Sequence, residues 1–351
     1  MKLRKLLVIG ALVTLVGCAN ASKETNANVP NTNQNIEVTQ SPVVEEPEVT
    51  VEHTATQEPT ATPSPEPTAT PEPTATPVPT ATPTPAPQII FTDKAVQEEI
   101  AVTEETEYYI FVNTGTNCVT VFIVNEDGTK TPYKSFPCSS GLEKGDTPEG
   151  IFDIYQRYEW RPLFGDVDGQ YACRFNGSIL FHSVPYYKQE KNTLKKGEYN
   201  KLGTAASMGC VRLAVEDAKW IHDNCVNGTV VEVVWGTPED DVLGKPYAMQ
   251  VEETSPYLGW DPTDPDANNP FIGKIPTFES VKDITVVQNY VGDLMGEVKA
   301  YDYDGTELEV TIFNTVETTE LGTYELVYRT VGQAGVVVYE TATVTVVETI
   351  Q

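Results

Sequence analysis

Ser207-Met208-Gly209-Cys210-Val211-Arg212 sets a cysteine between a glycine and an arginine, just where an apolar-periodic helical segment begins. A cysteine attacks as its thiolate, and the free thiol's pKa of about 8.5 falls where backbone N–H groups, a helix N-terminus or a histidine lie close. The hexapeptide offers the first two. Gly209 has no Cβ to hold a substrate away, so the amides of Met208, Gly209 and Cys210 are candidates to converge on a developing oxyanion. Arg212 adds a planar fork suited to a carboxylate. The competing reading of Cys210 is an inert buried thiol.

A base must come from elsewhere, and the chain has three histidines. His53 lies in a Pro/Thr-rich stretch and has no fixed position. His222 falls on the helix after the motif, about 12 Å along from Ala214 at ~1.5 Å per residue. His182 remains, in Gly177-Ser178-Ile179-Leu180-Phe181-His182-Ser183-Val184-Pro185, which reads as a buried strand ending at Pro185. Cys210 and His182 are therefore the candidate nucleophile and base.

Several ordered motifs now coincide. His182-Ser183-Val184-Pro185 gives His-Ser-x-Pro, followed by Leu202-Gly203 and then Ser-x-Gly-Cys-x-Arg over residues 207–212. Upstream stand Cys138-Ser139-Ser140-Gly141 and Thr147-Pro148-Glu149-Gly150-Ile151-Phe152. Over residues 107–235 this pattern resembles the L,D-transpeptidase catalytic-domain family of bacterial cell-wall enzymes, also called YkuD-type. The resemblance implies a mostly β fold: a β-sandwich with one or two helices. It implies that Cys210 attacks the amide after the third residue of a peptidoglycan stem tetrapeptide, releasing D-alanine and leaving a thioester. His182 then activates the thiol and protonates the leaving amine. A second stem's amine resolves the thioester into a third-position to third-position cross-link; with water as acceptor the same site is an L,D-carboxypeptidase. Under the resemblance Ser207 steadies the loop, the Ser183 carbonyl orients the imidazole, Arg212 holds a substrate carboxylate, and no cofactor or metal is needed.

Two departures stand out. Many family members carry histidine where this chain has Met208, and Tyr186 to Lys201 reads as a polar, Lys-rich insertion suited to a lid. Met208 motivates a second reading, a peptidoglycan-binding surface lipoprotein without catalysis. A third is an adhesin-like structural protein led by the C-terminal region.

The formal net charge of −28 over 351 residues argues against nucleic acid and against simple adhesion to anionic lipid. Residues 1–18 read as an export signal: Lys2, Arg4 and Lys5 precede an apolar run from Leu6 to Val16. Leu15-Val16-Gly17-Cys18 resembles the lipobox of bacterial lipoproteins, which implies lipidation at Cys18 and anchoring on the outer face of the cytoplasmic membrane. Residues 19–106 read as a disordered Pro/Thr-rich linker in which Glu-Pro-Thr-Ala-Thr-Pro recurs. As polyproline II, residues 42–87 would reach on the order of 140 Å at ~3.1 Å per residue.

Within 107–235, Tyr108–Val112 and Cys118–Val124 read as paired strands around Asn113–Asn117, with a third strand after the Asn125–Gly128 turn. Ala214, Ala218, Ile221 and Cys225 recur at helical spacing, although Ala214 is a poor N-cap. Apart from Cys18 and Cys210, four cysteines remain, and four allow three pairings. Cys118 and Cys138 lie symmetrically about Gly128, so the favoured pairs are Cys118 with Cys138 and Cys173 with Cys225; the alternative is four small buried thiols. Tyr158 and Trp160 suit either a substrate groove or a core. Residues 236–277 read as a solvated, turn-rich connector whose Asp261, Asp264 and Asp266 invite, and fall short of, a calcium loop. Residues 278–351 show short alternating strands and look like a bacterial immunoglobulin-like domain.

Overall fold

Hydrophobic alternation in the first strands of the 107–235 segment decides which faces meet. The computed structural model describes residues 88–95 and 99–350. The leader with Cys18, His53 and the tether up to residue 87 lie outside the described residues. The linker expectation needs one correction: Ile89–Asp93 form a strand, β1, antiparallel to Lys282–Val287 at the edge of the C-terminal sheet. Ile89-Ile90-Phe91 is the first apolar run after the proline repeats, and Ile89 and Phe91 pack on that sheet's core.

Three antiparallel strands follow, β2 (Glu107–Asn113), β3 (Cys118–Val124) and β4 (Lys130–Pro137). Alternate residues Ile110 and Val112 of β2 are fully buried, as are Val119 and Val121 of β3, so one face of this sheet is apolar. β5 (Gly150–Asp153) lies at the far edge. A second sheet holds β6 (Gln156–Leu163), β7 (Val167–Asn176), β8 (Ile179–Ser183) and β9 (Val211–Leu213) in that order; β8 and β9 run parallel and the other pairs antiparallel. A one-turn helix, α1 (Lys196–Tyr199), lies in the excursion between β8 and β9, and α2 (Val215–Asn224) follows β9. β10 (Val230–Val234) returns to the first sheet, parallel to β2 and antiparallel to β5. The buried faces of both sheets and of α2 close on one core that includes Ile110, Val121, Phe175, Phe181, Leu213 and Ile221. This segment is thus mostly β, with two packed sheets and a single long helix.

The cysteine pairing expected from hairpin symmetry is not realised. The turn sets Val124 opposite Lys130, which centres the hairpin on Asp127 and not on Gly128. The bulge between Val121 and Phe122 gives β4 one extra residue, yet Cys118 still falls opposite Pro137 and Cys138 lies past the strand end, where its amide donates to Asn117 O (2.9 Å). Cys118, Cys138, Cys173 and Cys225 are buried free thiols.

Residues 236–277 are not a solvated linker. Val251 and Phe271 are buried in one cluster with Tyr186, Tyr199 and Leu202, with Ala334 of the turn before the last strand, and with Val336 and Val338 of the C-terminal sheet. The insertion is anchored by the same core through Tyr186, Leu194 and Tyr199, and Trp160 packs edge-on to Tyr186 (5.2 Å), which assigns it to packing. The aspartates are used in building this region. Asp261 Oδ1 accepts from the Thr263 amide (2.8 Å), Asp264 Oδ1 from the Asp266 amide (2.9 Å), and Lys191 bridges Asp264 (3.3 Å) and Asp266 (3.1 Å). Asp261 also supplies the cap that Ala214 lacks: its Oδ2 accepts from the Val215 amide (2.9 Å), and Thr263 Oγ1 accepts from the Glu216 amide (3.1 Å).

Beyond the connector, Val336–Val347 is the central strand of the larger sheet, parallel to Lys282–Val287 and antiparallel to Gly322–Val331. Residues 307–312, within the stretch read as short alternating strands, divide between two sheets. Glu307–Leu308 joins a three-stranded sheet with Lys299–Tyr301 and Thr277–Glu279, and Thr311–Ile312 pairs with Gly322–Val331.

Candidate active site

The parallel pairing of β8 and β9 brings the candidate residues together. His182 lies opposite Arg212 and Phe181 opposite Val211, so with period-two alternation His182, Arg212 and Cys210 project from one face while Phe181 and Val211 enter the core. Cys210 and His182 line one cavity of about 330 Å³, which Ser207, Met208, Arg174 and Arg212 also border. Met208 is exposed at its mouth. One expectation is corrected: Cys210 precedes the three-residue strand β9, and α2 starts only at Val215, so the helix does not begin at the cysteine.

The loop carrying Cys210 is held from three sides. Gly209 has φ +124°, and a Cβ there would lie 2.5 Å from Asp146 O and 2.9 Å from Ile179 Cδ1, so only glycine fits. Thr147 Oγ1 donates to Gly209 O (2.7 Å) and accepts from the Gly141 amide (2.9 Å), tying both upstream motifs to the nucleophile loop. Ser139 and Arg212 exchange two backbone bonds of 2.9 Å. Ser207 Oγ donates to Cys210 O (2.6 Å) and accepts from the Gly209 amide (2.9 Å). That last bond corrects the expected trio of oxyanion donors: the Gly209 amide is engaged, and the amides of Met208 and Cys210 have no acceptor among the described residues.

His182 is 2% exposed, and its Nδ1 lies 2.5 Å from Ser183 O. A carbonyl only accepts, so Nδ1 carries the proton and Nε2 keeps its lone pair. Ser183 is fixed in turn: its Oγ accepts from the Gln170 amide (2.9 Å) and donates to Val184 O (3.0 Å). Burial lowers the His182 pKa to about 4, with Arg212 adding to the effect and the Ser183 bond opposing it, so the ring is a neutral acceptor at pH 7. Burial pushes the Cys210 thiol above its ordinary value, against the Leu180 amide and the charges of Arg212 and Arg174. The resting pair is thiol and imidazole, so any attack by this sulfur would need proton transfer as it occurs.

Arg212 is not free in the way its sequence position suggests. Its Nη1 donates to Glu198 Oε2 (2.6 Å) and to Ala206 O (2.9 Å). Burial raises the Glu198 pKa, but hydrogen bonds from Lys201 and Arg212 outweigh it and hold the carboxylate below its usual range. Glu198 sits on α1, so the insertion reaches the site by clamping Arg212 and not as a loose lid.

Sequence reasoning overlooked four contributors. Gly169 packs directly on the candidate base: a Cβ there would be 2.9 Å from His182 Nδ1. Thr147, Glu198 and Asp261 act through loop, clamp and cap. Only Thr147 carried a local signal, through its motif; the others work across chain separations that no local pattern encodes.

Residues 107–233 match the family model of the L,D-transpeptidase catalytic domain, YkuD. Among curated proteins, a Bacillus subtilis (strain 168) protein provisionally named L,D-transpeptidase YciB is 41% identical over 115 residues, 31% of this chain and 58% of that protein. Of solved structures, an L,D-transpeptidase from Mycobacterium smegmatis is 20% identical over 37% of this chain and 59% of its own, with a TM-score of 0.30. A fused Zn-dependent amidase/peptidase/peptidoglycan-binding-domain protein from Clostridium acetobutylicum ATCC 824 is 24% identical over 36% of this chain and 52% of its own, with a TM-score of 0.29. The chain thus spans between half and two thirds of each of these relatives.

Proposed function

We propose that the protein is an L,D-transpeptidase acting on peptidoglycan stem peptides through Cys210. The observation that carries this reading is the one-faced placement of Cys210 and His182 in a single cavity, with the His182 lone pair left at Nε2 by the Ser183 bond. His182 Nε2 takes the thiol proton as Sγ attacks the carbonyl after the third residue of a tetrapeptide stem. The amides of Met208 and Cys210 receive the developing oxyanion. Collapse expels the terminal D-alanine, its amine protonated by His182, and leaves a Cys210 thioester. An amine from a second stem then displaces the sulfur and forms the cross-link.

Export and anchoring complete the proposal. Lipidation at Cys18 fixes the chain to the outer face of the membrane, the proline-rich tether sets its reach into the wall, and the C-terminal immunoglobulin-like module serves as a spacer. Each buried methylene of the lipid adds about 0.8 kcal/mol to anchoring. Incubation of the protein with disaccharide-tetrapeptide tests the activity by product mass. Cross-linked dimers that have lost one alanine support transfer, monomeric tripeptide indicates hydrolysis by the same thioester, and substrate unchanged relative to Cys210→Ala rejects the reading. Labelled fatty acid retained by the parent and lost in Cys18→Ala tests the anchor.

A further inference from the structure

The cavity around Cys210 is charged in one sense only. Arg161, Arg174 and Arg212 line it and no carboxylate does, in a chain whose acidic residues outnumber its basic ones 51 to 23. Of the three, Arg212 is engaged by Glu198 and Ala206 O. The other two keep donors for a ligand. Arg174 donates through Nη1 to Gly177 O, while its buried Nε has no acceptor among the described residues. The Arg161 guanidinium lies 5.0 Å from the centre of the Tyr158 ring, and that of Arg174 lies 6.0 Å from the same ring. Packing on an aromatic face orients a guanidinium without using its N–H groups, leaving the fork for a planar anion. Both arginines sit on the β6–β7 hairpin, and the charge of Arg174 is felt at the Cys210 sulfur.

We infer that Arg174, assisted by Arg161, binds the C-terminal carboxylate of the donor peptide and thereby restricts the site to peptides that end one residue beyond the scissile amide. This assignment rests on the function proposed above and replaces Arg212 in the role its sequence position suggested. In such a donor the α-carboxylate of the departing residue is only a few bonds from the carbonyl under attack, so its receptor must stand close to the sulfur. Arg174 does, and with Nη1 on Gly177 O and Nε buried, its Nη2 N–H groups are the ones left to donate a charge-assisted bond to a carboxylate. In a donor whose third residue has a side-chain carboxylate, that group has the same chemistry at a different place.

Binding to the full-length Cys210→Ala protein separates the two and needs no turnover. Three probes are titrated by calorimetry: the free tetrapeptide, its C-terminal carboxamide, and the tetrapeptide amidated only on the third side chain. The C-terminal carboxamide binds about 10- to 100-fold more weakly than the acid, as expected for loss of a charge-assisted bond. Adding Arg174→Gln weakens the acid by a similar factor and leaves the carboxamide unchanged, Arg174→Lys recovers part of the loss, and Arg161→Gln gives a smaller decrease in the same direction. Thermal melting establishes that each variant is folded, and Arg161→Gln tests the assignment separately from any structural effect of losing the Arg174–Gly177 bond. Two results overturn the inference: a folded Arg174→Gln protein that prefers acid to carboxamide as its parent does, or discrimination that follows the third side chain instead. Turnover by the Cys210 enzyme is scored apart. Conversion without this binding pattern refutes the carboxylate assignment alone, and the pattern without conversion refutes the transpeptidase reading alone.

Discussion

Gly169→Ala adds one methyl group beside the proposed base. Gly169 lies in β7 opposite Arg161, and its backbone is outside the left-handed region, so alanine brings no backbone strain. The new Cβ would lie 2.9 Å from His182 Nδ1, 3.1 Å from His182 Cβ and 3.0 Å from Leu163 Cδ1. Carbon contacts settle near 3.5–4.0 Å, so the ring must retreat by roughly half an ångström. That movement strains the Nδ1–Ser183 O bond, which sets both the tautomer and the direction of Nε2. Overpacking of this kind costs about 1–3 kcal/mol of stability. A misplacement of about 1 Å costs about 100-fold in rate, so a retreat of half that size is expected to lower kcat about 10-fold. If the ring acts on the sulfur as proposed, KM should change little. Steady-state kinetics on the tetrapeptide, with thermal melting and NMR of the imidazole, measures all three. A folded variant with parental kcat and an unmoved ring would refute the argument that Gly169 positions His182.

The other predictions follow from the loop, the cap and the titrating groups. Thr147→Ala removes the hydroxyl that joins Gly141 to Gly209 and should cost about 1–2 kcal/mol by denaturation together with a fall in kcat, whereas Thr147→Ser, which keeps the hydroxyl, should restore most of both. Burial raises the Asp261 carboxyl to about 7, against hydrogen bonds from Thr263 and Val215. The folded chain therefore keeps a proton that the unfolded chain gives up near pH 4, so this group's contribution to stability falls as pH rises from about 4 to about 7 and then levels off. Asp261→Asn should flatten that limb of the melting profile, and an identical profile would show that Asp261 does not titrate there. With His182 neutral above about 4 and the Cys210 thiol raised, alkylation of Cys210 by iodoacetamide should climb steadily from about pH 5 to 9; a plateau across that range would reveal a thiolate–imidazolium pair instead.

Local chemistry makes the candidate nucleophile and base legible in the sequence. A glycine-flanked cysteine followed by arginine, and one histidine left after elimination, point to residues that the β8–β9 register sets on one face. The strands at Glu107–Asn113 and Cys118–Val124 are readable because their side chains alternate or pack at period two. What escapes is long-range. Arg212 looks free in its hexapeptide, yet its partner Glu198 comes from an insertion that composition marks as polar surface. Ala214 looks like a missing cap because the cap, Asp261, arrives 46 residues beyond Val215, and it comes from a stretch whose prolines and aspartates imitate a solvated linker. Burial of Val251 and Phe271 overrides that composition. The Cys118–Cys138 symmetry fails because the hairpin is centred on Asp127, one residue before Gly128, and even the extra residue of the β4 bulge brings only Pro137 opposite Cys118; hydrophobic pattern carries no trace of a one-residue offset.

The central claim is that Cys210 forms a covalent bond to the donor peptide. Intact-protein mass spectrometry after brief, acid-quenched exposure to the tetrapeptide tests it most directly. The expected product is an adduct equal to the donor minus its terminal alanine, mapped to Cys210, discharged by added amine, and absent from Cys210→Ala. An adduct of the same mass on Cys210→Ala, or a folded parent protein that consumes the tetrapeptide while Cys210 stays unacylated under every quench, would contradict it.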